Sequence, residues 1–413
     1  MKRVFVLVLD SLGIGYSKDS VKFGDYGSNT LGHIIECCYK NFANSYGRNG
    51  VLKIPNLVKL GIINALKKSS KNKIFGFNKE SKIIGSYAYS KEISTSKDTS
   101  SGHWEMMGSP VLFKWTYFKS LKNSFPLDLL NKIQKKFLIN GFLGNCHASG
   151  TDIINIYGKE HIKYNYPIIY TSSDSVFQIA CHEKSFGLER LYDLCLLVRK
   201  ILNKSKYKVT RVIARPFLND QKNQFYRTRN RKDFSISPNE ETVLEKLVKE
   251  KKGEVISIGK ISDIFNNKGI TKQVNVYELE KIFEALYKEL KNYSEYRKKN
   301  IIVFANFVDF DSYWGHRRDV SGYAKELELF DIKIPKFLSL MKKNDLLIIT
   351  SDHGCDPTWK GTDHTREHVP ILIYKKNLIP KYLGYRKTFS DISQTISNYL
   401  GLSKMKFGKK IIF

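Results

Sequence analysis

An adjacent carboxylate and imidazole, Asp352-His353, follow the apolar run Leu346-Leu347-Ile348-Ile349, and the loop beyond carries His364 and His368. The run reads as a short buried strand, so the pair stands at a strand exit. Carboxylate oxygen and imidazole nitrogen are donors that divalent metals take. Other strand exits hold the remaining donors. Val4-Phe5-Val6-Leu7-Val8-Leu9 is apolar throughout, as a central parallel strand buried on both faces should be, and ends in Asp10-Ser11. The strongest strand pattern, Asn300 to Val308, runs into Asp309-Phe310-Asp311, with His316 after the turn-forming Gly315.

A helix cap accounts for a single Asp, and core packing for a single His. Neither accounts for an Asp at each of these exits with imidazoles beside two of them. Asp10, Asp311, His316, Asp352, His353 and His364 are too many ligands for one zinc with an open position. They suit two metals about 3.5–4 Å apart, gripping opposite sides of an in-line phosphoryl displacement. The mixed donors admit Mn²⁺, Zn²⁺ or Fe²⁺.

A nucleophile is available in Ser96-Lys97-Asp98-Thr99-Ser100-Ser101-Gly102-His103, just ahead of an expected helix. Free N–H groups and the positive dipole end there stabilise an alkoxide or a bound phosphate. Asp98, Thr99 or Ser100 would equally serve as the N-cap. Spacing alone does not choose Thr99 over Ser100 or Ser101.

Strand-helix alternation frames these exits, with helical pieces expected over Thr30 to Tyr39, Ile54 to Leu66 and 277–293, and a helix opened by 238–242 through Val248. Between about Trp115 and Ser237 the rhythm gives way to shorter segments. The expected organisation is a discontinuous metal-binding core, 1–115 and 238–413, with an inserted second domain at 116–237. The insertion carries polar loops at Ser149, Thr151, Asp152 and Asp174. It also carries an arginine cluster (Arg211, Arg215, Arg227, Arg229, Arg231) whose guanidinium forks suit phosphate. Lys260, in a Gly-Lys turn after Glu254 to Ile258, is a further phosphate contact or one of many surface lysines.

The formal net charge of +29 would point to a polyanion partner, but the lysines are spread in short clusters and no long basic block occurs. A composition drifting toward Lys, Asn and Ile explains the charge better than a nucleic-acid face. The 6 cysteines form no CxxC pair or disulfide framework, as expected of a reduced cytosol. Asp10 ends the apolar N-terminal run too early for a signal peptide, and no run approaches the roughly 20 residues of a membrane span. The reading is a cytoplasmic protein without nucleic-acid or membrane partners.

The motifs Val8-Leu9-Asp10-Ser11-Leu12-Gly13-Ile14-Gly15, Lys97-Asp98-Thr99-Ser100-Ser101-Gly102-His103-Trp104-Glu105, Ala214-Arg215-Pro216-Phe217, Ser257-Ile258-Gly259-Lys260-Ile261, Asp309-Phe310-Asp311 through His316-Arg317-Arg318-Asp319, and Thr350 to His368 together resemble the phosphopentomutase family of the alkaline phosphatase superfamily. The resemblance implies an α/β core with a mostly parallel central sheet flanked by helices, plus a smaller α+β cap domain. It implies that Thr99 carries the phosphoryl group, that Asp10, Asp352 and His353 bind one metal, and that Asp311, His316 and His364 bind the other. Two Mn²⁺ ions and an activating sugar bisphosphate are implied cofactors. Arg215, Arg231 and Lys260 match the family's phosphate contacts, with Ser149, Thr151, Asp152 and Asp174 as sugar contacts. The implied reaction interconverts ribose 1-phosphate and ribose 5-phosphate, and the 2-deoxyribose pair. A phosphatase or phosphoglycerate mutase on the same scaffold is the nearest alternative. A sulfatase would need a Cys-x-Pro-x-Arg stretch that the chain lacks around Thr99. His368 is left outside the ligand set.

Overall fold

The Arg3–Leu9 strand is buried at every residue because it lies inside an eight-stranded sheet, paired in parallel with Ile301–Phe307 on one side and Asp345–Thr350 on the other. Its Val, Leu and Phe side chains suit a pleated surface covered on both faces. Each fully buried one contributes about 1.5–3 kcal/mol. The computed structural model describes residues 1–70, 74–77, 82–172, 175–292 and 299–413. It divides into two units, 1–112 with 238–413, and 113–237.

In the first unit the strand order is Lys272–Val274, Glu254–Ile258, Ile301–Phe307, Arg3–Leu9, Asp345–Thr350, Val369–Tyr374, Ser86–Ser90, Tyr382–Arg386. Only the two pairings made by Val369–Tyr374 are antiparallel, so the sheet is mostly parallel. The register aligns Leu9 with Phe307 and Val8 with Thr350, which brings the exits at Asp10, Val308 and Ser351 side by side. At the opposite end the buried Arg3 clamps Asp345 through Nε and Nη2, at 2.8 and 2.6 Å, and donates to the carbonyls of Glu289 and Leu290. That fork pins the strand start and hence the register.

The expected helices form as Thr30–Tyr39, Pro55–Leu60, Ile62–Ser69, Val243–Lys251 and Leu279–Lys291. Gly61, at φ +100°, divides the expected 54–66 helix, because a left-handed residue ends one helix and starts the next. Thr242 and Glu245 close a capping box. The last positions of the expected 277–293 helix include Tyr293, which lies outside the described residues.

The second unit has a mixed sheet built from Leu143–His147, Ile168–Thr171, Val176–His182, Arg211–Asn219, Phe225–Arg227 and Lys232–Ser235. Helices Leu127–Phe137, Gly150–Tyr164 and Leu188–Asn203 accompany it. The expectation of short segments with little strand-helix rhythm is corrected here. Leu191, Leu194, Cys195, Val198 and Leu202 recur at helical spacing and are all buried, a stripe that the surrounding charges obscure. Phe113 and Trp115, packed edge to face at 4.9 Å, fall with this unit.

Among the described residues no helix is long and apolar enough to cross a membrane. The 21-residue helix Val320–Leu340 buries Glu326, whose carboxyl is pushed up from 4.5 to about 7 by burial and then by Asp309. The folded chain therefore keeps a proton that the unfolded chain releases, and this contribution to stability is lost as pH rises from 4.5 through 7. Glu326→Gln, which needs no proton, should raise the thermal midpoint by roughly 2 °C or more at pH 8 and leave it nearly unchanged at about pH 4, below both values. Calorimetric scans of both proteins at the two pH values check this.

Candidate metal centre

Asp10 follows the Arg3–Leu9 strand directly, and Ser11 then takes a left-handed turn at φ 69°. A non-glycine residue rarely holds that conformation without compensation. Here Ser11 N–H donates to Asp352 Oδ1 at 3.0 Å, and its carbonyl accepts from Cys355 N–H, so the bend ties two strand exits together. After Ile301–Phe307, one π-helical turn, Phe310–Gly315, carries Asp311 and leads to His316. Asp352 and His353 come from the exit of Asp345–Thr350, and His364 from the loop that follows.

These six residues converge. His353 Nε2 lies 3.2 Å from Asp352 Oδ2 and 3.6 Å from Asp10 Oδ1. His316 Nε2 lies 3.2 Å from Asp311 Oδ2, His364 Nε2 lies 3.4 Å from Asp311 Oδ1, and the two imidazole nitrogens are 3.1 Å apart. The rings of His353 and His364 stack at 3.8 Å, so the two groups are continuous.

Each imidazole is held in one tautomer. The Nδ1–H groups donate to backbone carbonyls: His316 to Thr362 at 2.6 Å, His353 to Gly354 at 3.1 Å, His364 to Lys97 at 2.9 Å. A carbonyl can only accept, so in each neutral ring the Nε2 lone pair faces the centre. Asp10 Oδ1, Asp311 Oδ1 and Asp352 Oδ2 are buried there without a hydrogen-bond partner among the described residues. Buried orphan acceptors are costly in a folded protein, and converging ones fit divalent cations.

The charges agree with the geometry. Burial pushes Asp10 well above the usual carboxylate range, and the neighbouring Asp352 and Asp311 add to it. Burial opposes the charge on Asp352 as well, yet His353 and His103 hold it well below that range. Despite its own burial His353 is raised well above the usual imidazole value, because Asp352, Asp10 and Asp311 face it. The cluster is short of positive charge, which a metal would supply.

Asp98 is the N-cap of helix Thr99–Met106, its side chain accepting from the N–H and the hydroxyl of Ser101 at 3.0 and 2.9 Å. Ser101 is thus occupied and fully buried. The Thr99 hydroxyl lies 3.2 Å from His353 Nε2. Gly102 allows the helix to reach the centre, since a Cβ there would sit 2.2 Å from the Asp352 carbonyl oxygen.

Two residues of this centre escaped the sequence reading. His103 Nδ1 lies 3.1 Å from Asp352 Oδ2 and 2.8 Å from the Thr99 carbonyl, to which its N–H donates, so it touches both a carboxylate and the helix Thr99–Met106. Asn306 donates to Asp10 Oδ2 at 2.9 Å. A polar residue inside the otherwise apolar Ile301–Phe307 strand was its available signal. His368 is not in the cluster: it bonds Ser69 Oγ at 3.0 Å, and burial lowers it to about 4.

In the second unit Arg215, Arg227 and Arg231, with Pro216 and Thr228, line a cavity of 360 Å³. Arg215 Nε donates to Gln178 Oε1 at 3.1 Å, and Arg231 grips Asp233 through Nε and Nη2, both at 2.8 Å. The buried Tyr170 hydroxyl, without a hydrogen-bond partner among the described residues, adjoins these arginines. Ser149 caps Gly150–Tyr164 by accepting from Asp152 N–H, and Thr151 and Asp152 are exposed in its first turn. Lys260, in the first unit, is exposed at the start of Ile261–Ile264. Asp174 lies outside the described residues.

The chain matches the Metalloenzyme superfamily over residues 2–404. It is 58% identical over 412 residues to a phosphopentomutase of Buchnera aphidicola subsp. Acyrthosiphon pisum (strain Tuc7), covering 100% of both chains. It is 53% identical over 412 residues to a phosphopentomutase of Yersinia pestis bv. Antiqua (strain Angola), again covering 100% of both. Among solved structures, a phosphoglycerate mutase of Leishmania mexicana aligns over 100% of this chain and 98% of its own at 13% identity, with a TM-score of 0.46.

Removing His103 should loosen the Asp352 carboxylate without deleting any of the six converging side chains. His103→Ala is expected to weaken divalent-metal affinity about 10- to 100-fold, as loss of a ligand's supporting contact typically does. Calorimetric titration with Mn²⁺ checks it.

Proposed function

The chain belongs to the phosphopentomutase family of the metalloenzyme (alkaline phosphatase) superfamily, and from that premise we propose that it interconverts ribose 1-phosphate and ribose 5-phosphate, and the 2-deoxyribose pair, through a phosphorylated Thr99. The observation that carries this reading is the placement of the Thr99 hydroxyl 3.2 Å from His353 Nε2, beside three converging orphan carboxylate oxygens. Asp10, Asp352 and His353 would hold one metal, and Asp311, His316 and His364 a second. Two Mn²⁺ ions are the proposed occupants, in keeping with hard carboxylate oxygens mixed with imidazole nitrogen. When bound, such ions supply Lewis acidity that lowers the pKa of a coordinated hydroxyl and neutralises phosphoryl oxygens.

The chain's own residues do the rest. Thr99, at the first position of its helix, presents the hydroxyl oxygen at the positive end of the helix dipole, which favours negative charge. In the phosphorylated enzyme the sugar monophosphate's free hydroxyl attacks the phosphorus. The bond to Thr99 Oγ1 breaks, and a 1,5-bisphosphate forms. Thr99 then takes the other phosphate, leaving the isomeric monophosphate and restoring the phosphothreonine. A catalytic amount of sugar bisphosphate would prime the unphosphorylated chain by the same transfer.

The arginine cavity is the proposed holder of a sugar phosphate, with Arg215 and Arg231 as principal contacts and Arg227 beside them. Guanidinium forks and an unpartnered phenol are suitable donors to phosphate oxygens. Lys260, Ser149 and Asp152 remain secondary proposals. The insertion at 116–237 is assigned the role of cap because a mutase must keep water from its phosphoenzyme.

The Mn²⁺-loaded protein, given ribose 1-phosphate and a trace of sugar bisphosphate, should form ribose 5-phosphate without matching free phosphate. Stoichiometric phosphate release would instead identify a hydrolase. Thr99→Ala should lower turnover at least about 10³-fold while metal content stays at the parent value; comparable turnover in the variant would overturn the nucleophile assignment. Arg215→Ala should raise KM for the sugar phosphate roughly 10- to 100-fold, the equivalent of one lost charge-assisted contact, as steady-state kinetics will show.

A further inference from the structure

Cys355 lies outside the six-residue set in chemistry but beside it in space. Its Sγ, a carboxylate oxygen of Asp311 and a ring nitrogen of His316 are all within 4.8 Å of one another. The thiol is fully buried. It donates toward the Asp363 carbonyl at 3.8 Å and accepts from Arg318 Nη1–H at 3.1 Å. The backbone between Asp311 and His316 is pressed against it, for a Cβ on Gly315 would stand 3.0 Å from Sγ. Asp311 is 6% exposed, and its Oδ1 points into the cluster without a hydrogen-bond partner among the described residues. A sulfur, a carboxylate and an imidazole at this separation are a ligand set for a softer ion than Mn²⁺.

We propose that Asp311, His316 and Cys355 form an alternative coordination set that captures a thiophilic divalent cation, Zn²⁺ or Cd²⁺, in competition with the ion held by Asp311, His316 and His364. The inference rests on the reading of this centre as metal-binding. On capture the Cys355 S–H bond breaks, its proton leaves to solvent, and a sulfur–metal bond forms with no change of oxidation state. Asp311 and His316 pass from one ion to the other, and His364 loses its partners. The Arg318 N–H···S contact persists on the bound thiolate and orients it. Mn²⁺, which favours oxygen and nitrogen, leaves the sulfur unused.

The test is titration of the Mn²⁺-loaded protein with Cd²⁺, following the ultraviolet thiolate-to-cadmium charge-transfer band and, by electron paramagnetic resonance, released Mn²⁺. The expected result is a band that saturates with Mn²⁺ release, disappears in Cys355→Ser and Cys355→Ala, and persists in the control Cys146→Ser. Cd²⁺ affinity should fall at least about 10-fold in both Cys355 variants. A band unchanged in those variants, or no band in the parent, overturns the proposal. Should neither variant fold, cadmium X-ray absorption on the parent decides, with one sulfur bonded to cadmium expected and none refuting it. Failure of the underlying reading looks different: Mn²⁺ would not bind, or Asp311→Asn would leave Mn²⁺ stoichiometry unaltered. Normal Mn²⁺ binding without a cadmium–thiolate band removes this inference alone.

Discussion

The electrostatic conflict among Asp10, Asp311 and Asp352 governs the first unit. These buried carboxylates stand at the ends of adjacent strands, and burial together with mutual repulsion drives Asp10 well above its usual range. Such an arrangement is tolerated only if something else fixes the strands and supplies positive charge. The strands are fixed by an apolar sheet and, at its far end, by the Arg3–Asp345 fork. Positive charge is offered in part by His353, raised well above the usual imidazole value by the same carboxylates. The stability of the sheet thus maintains a site that is unfavourable by itself.

Position is enforced one layer out. Every imidazole of the cluster is oriented by a carbonyl from a loop, at Thr362, Gly354 or Lys97. The Asn306 side-chain amide orients Asp10, and the Ser11 backbone N–H orients Asp352. Backbone donors and acceptors have little freedom once the chain is folded, so they set ligand direction more firmly than long side chains would. Lys97 shows the economy of this arrangement. Its carbonyl fixes His364, its ammonium pairs with Asp25 and Asp363 at 3.0 and 3.2 Å, and two residues later the chain reaches Thr99.

Much of this was legible because strand exits leave a plain mark: an apolar run, then Asp, then a turn. Asp10, Asp311 and Asp352 could be read from that mark together with their neighbouring histidines. Thr99 could not be separated from Ser100 and Ser101 on spacing, since which hydroxyl caps and which stays free depends on the helix's first turn; Asp98 takes the cap and engages Ser101. His103 was hidden because its role comes from a helix turn laid against Asp352, a contact between residues remote in sequence. Cys355 carried no signal in the sequence, because the turn at Gly315 that lies against it comes from a stretch remote in sequence. The helices of the second unit were missed because Lys, Asn and Tyr dilute their apolar stripes, and a composition rich in lysine weakens periodicity everywhere.

Arg366 explains how the loop carrying His364 and the segment leading to Thr99 keep a common position. It is 2% exposed, pairs with Asp19 and Glu92, and donates to the carbonyls of Glu92, Ser94 and Ser96. Those carbonyls belong to the segment leading to Thr99, while Arg366 lies two residues beyond His364. Glu105, on the helix Thr99–Met106, receives the N–H groups of Ile93 and Ser94 and so holds the other side of that segment. A buried ion pair adds little net stability over a well-packed apolar pair, but breaking one by removing a partner costs about 3–5 kcal/mol. What the Arg366 network supplies is therefore geometry: it ties the backbone two residues beyond His364 to the Glu92–Ser96 segment that leads to Thr99. The distance between the Thr99 hydroxyl and the converging side chains owes more to that coupling than to any increment of stability.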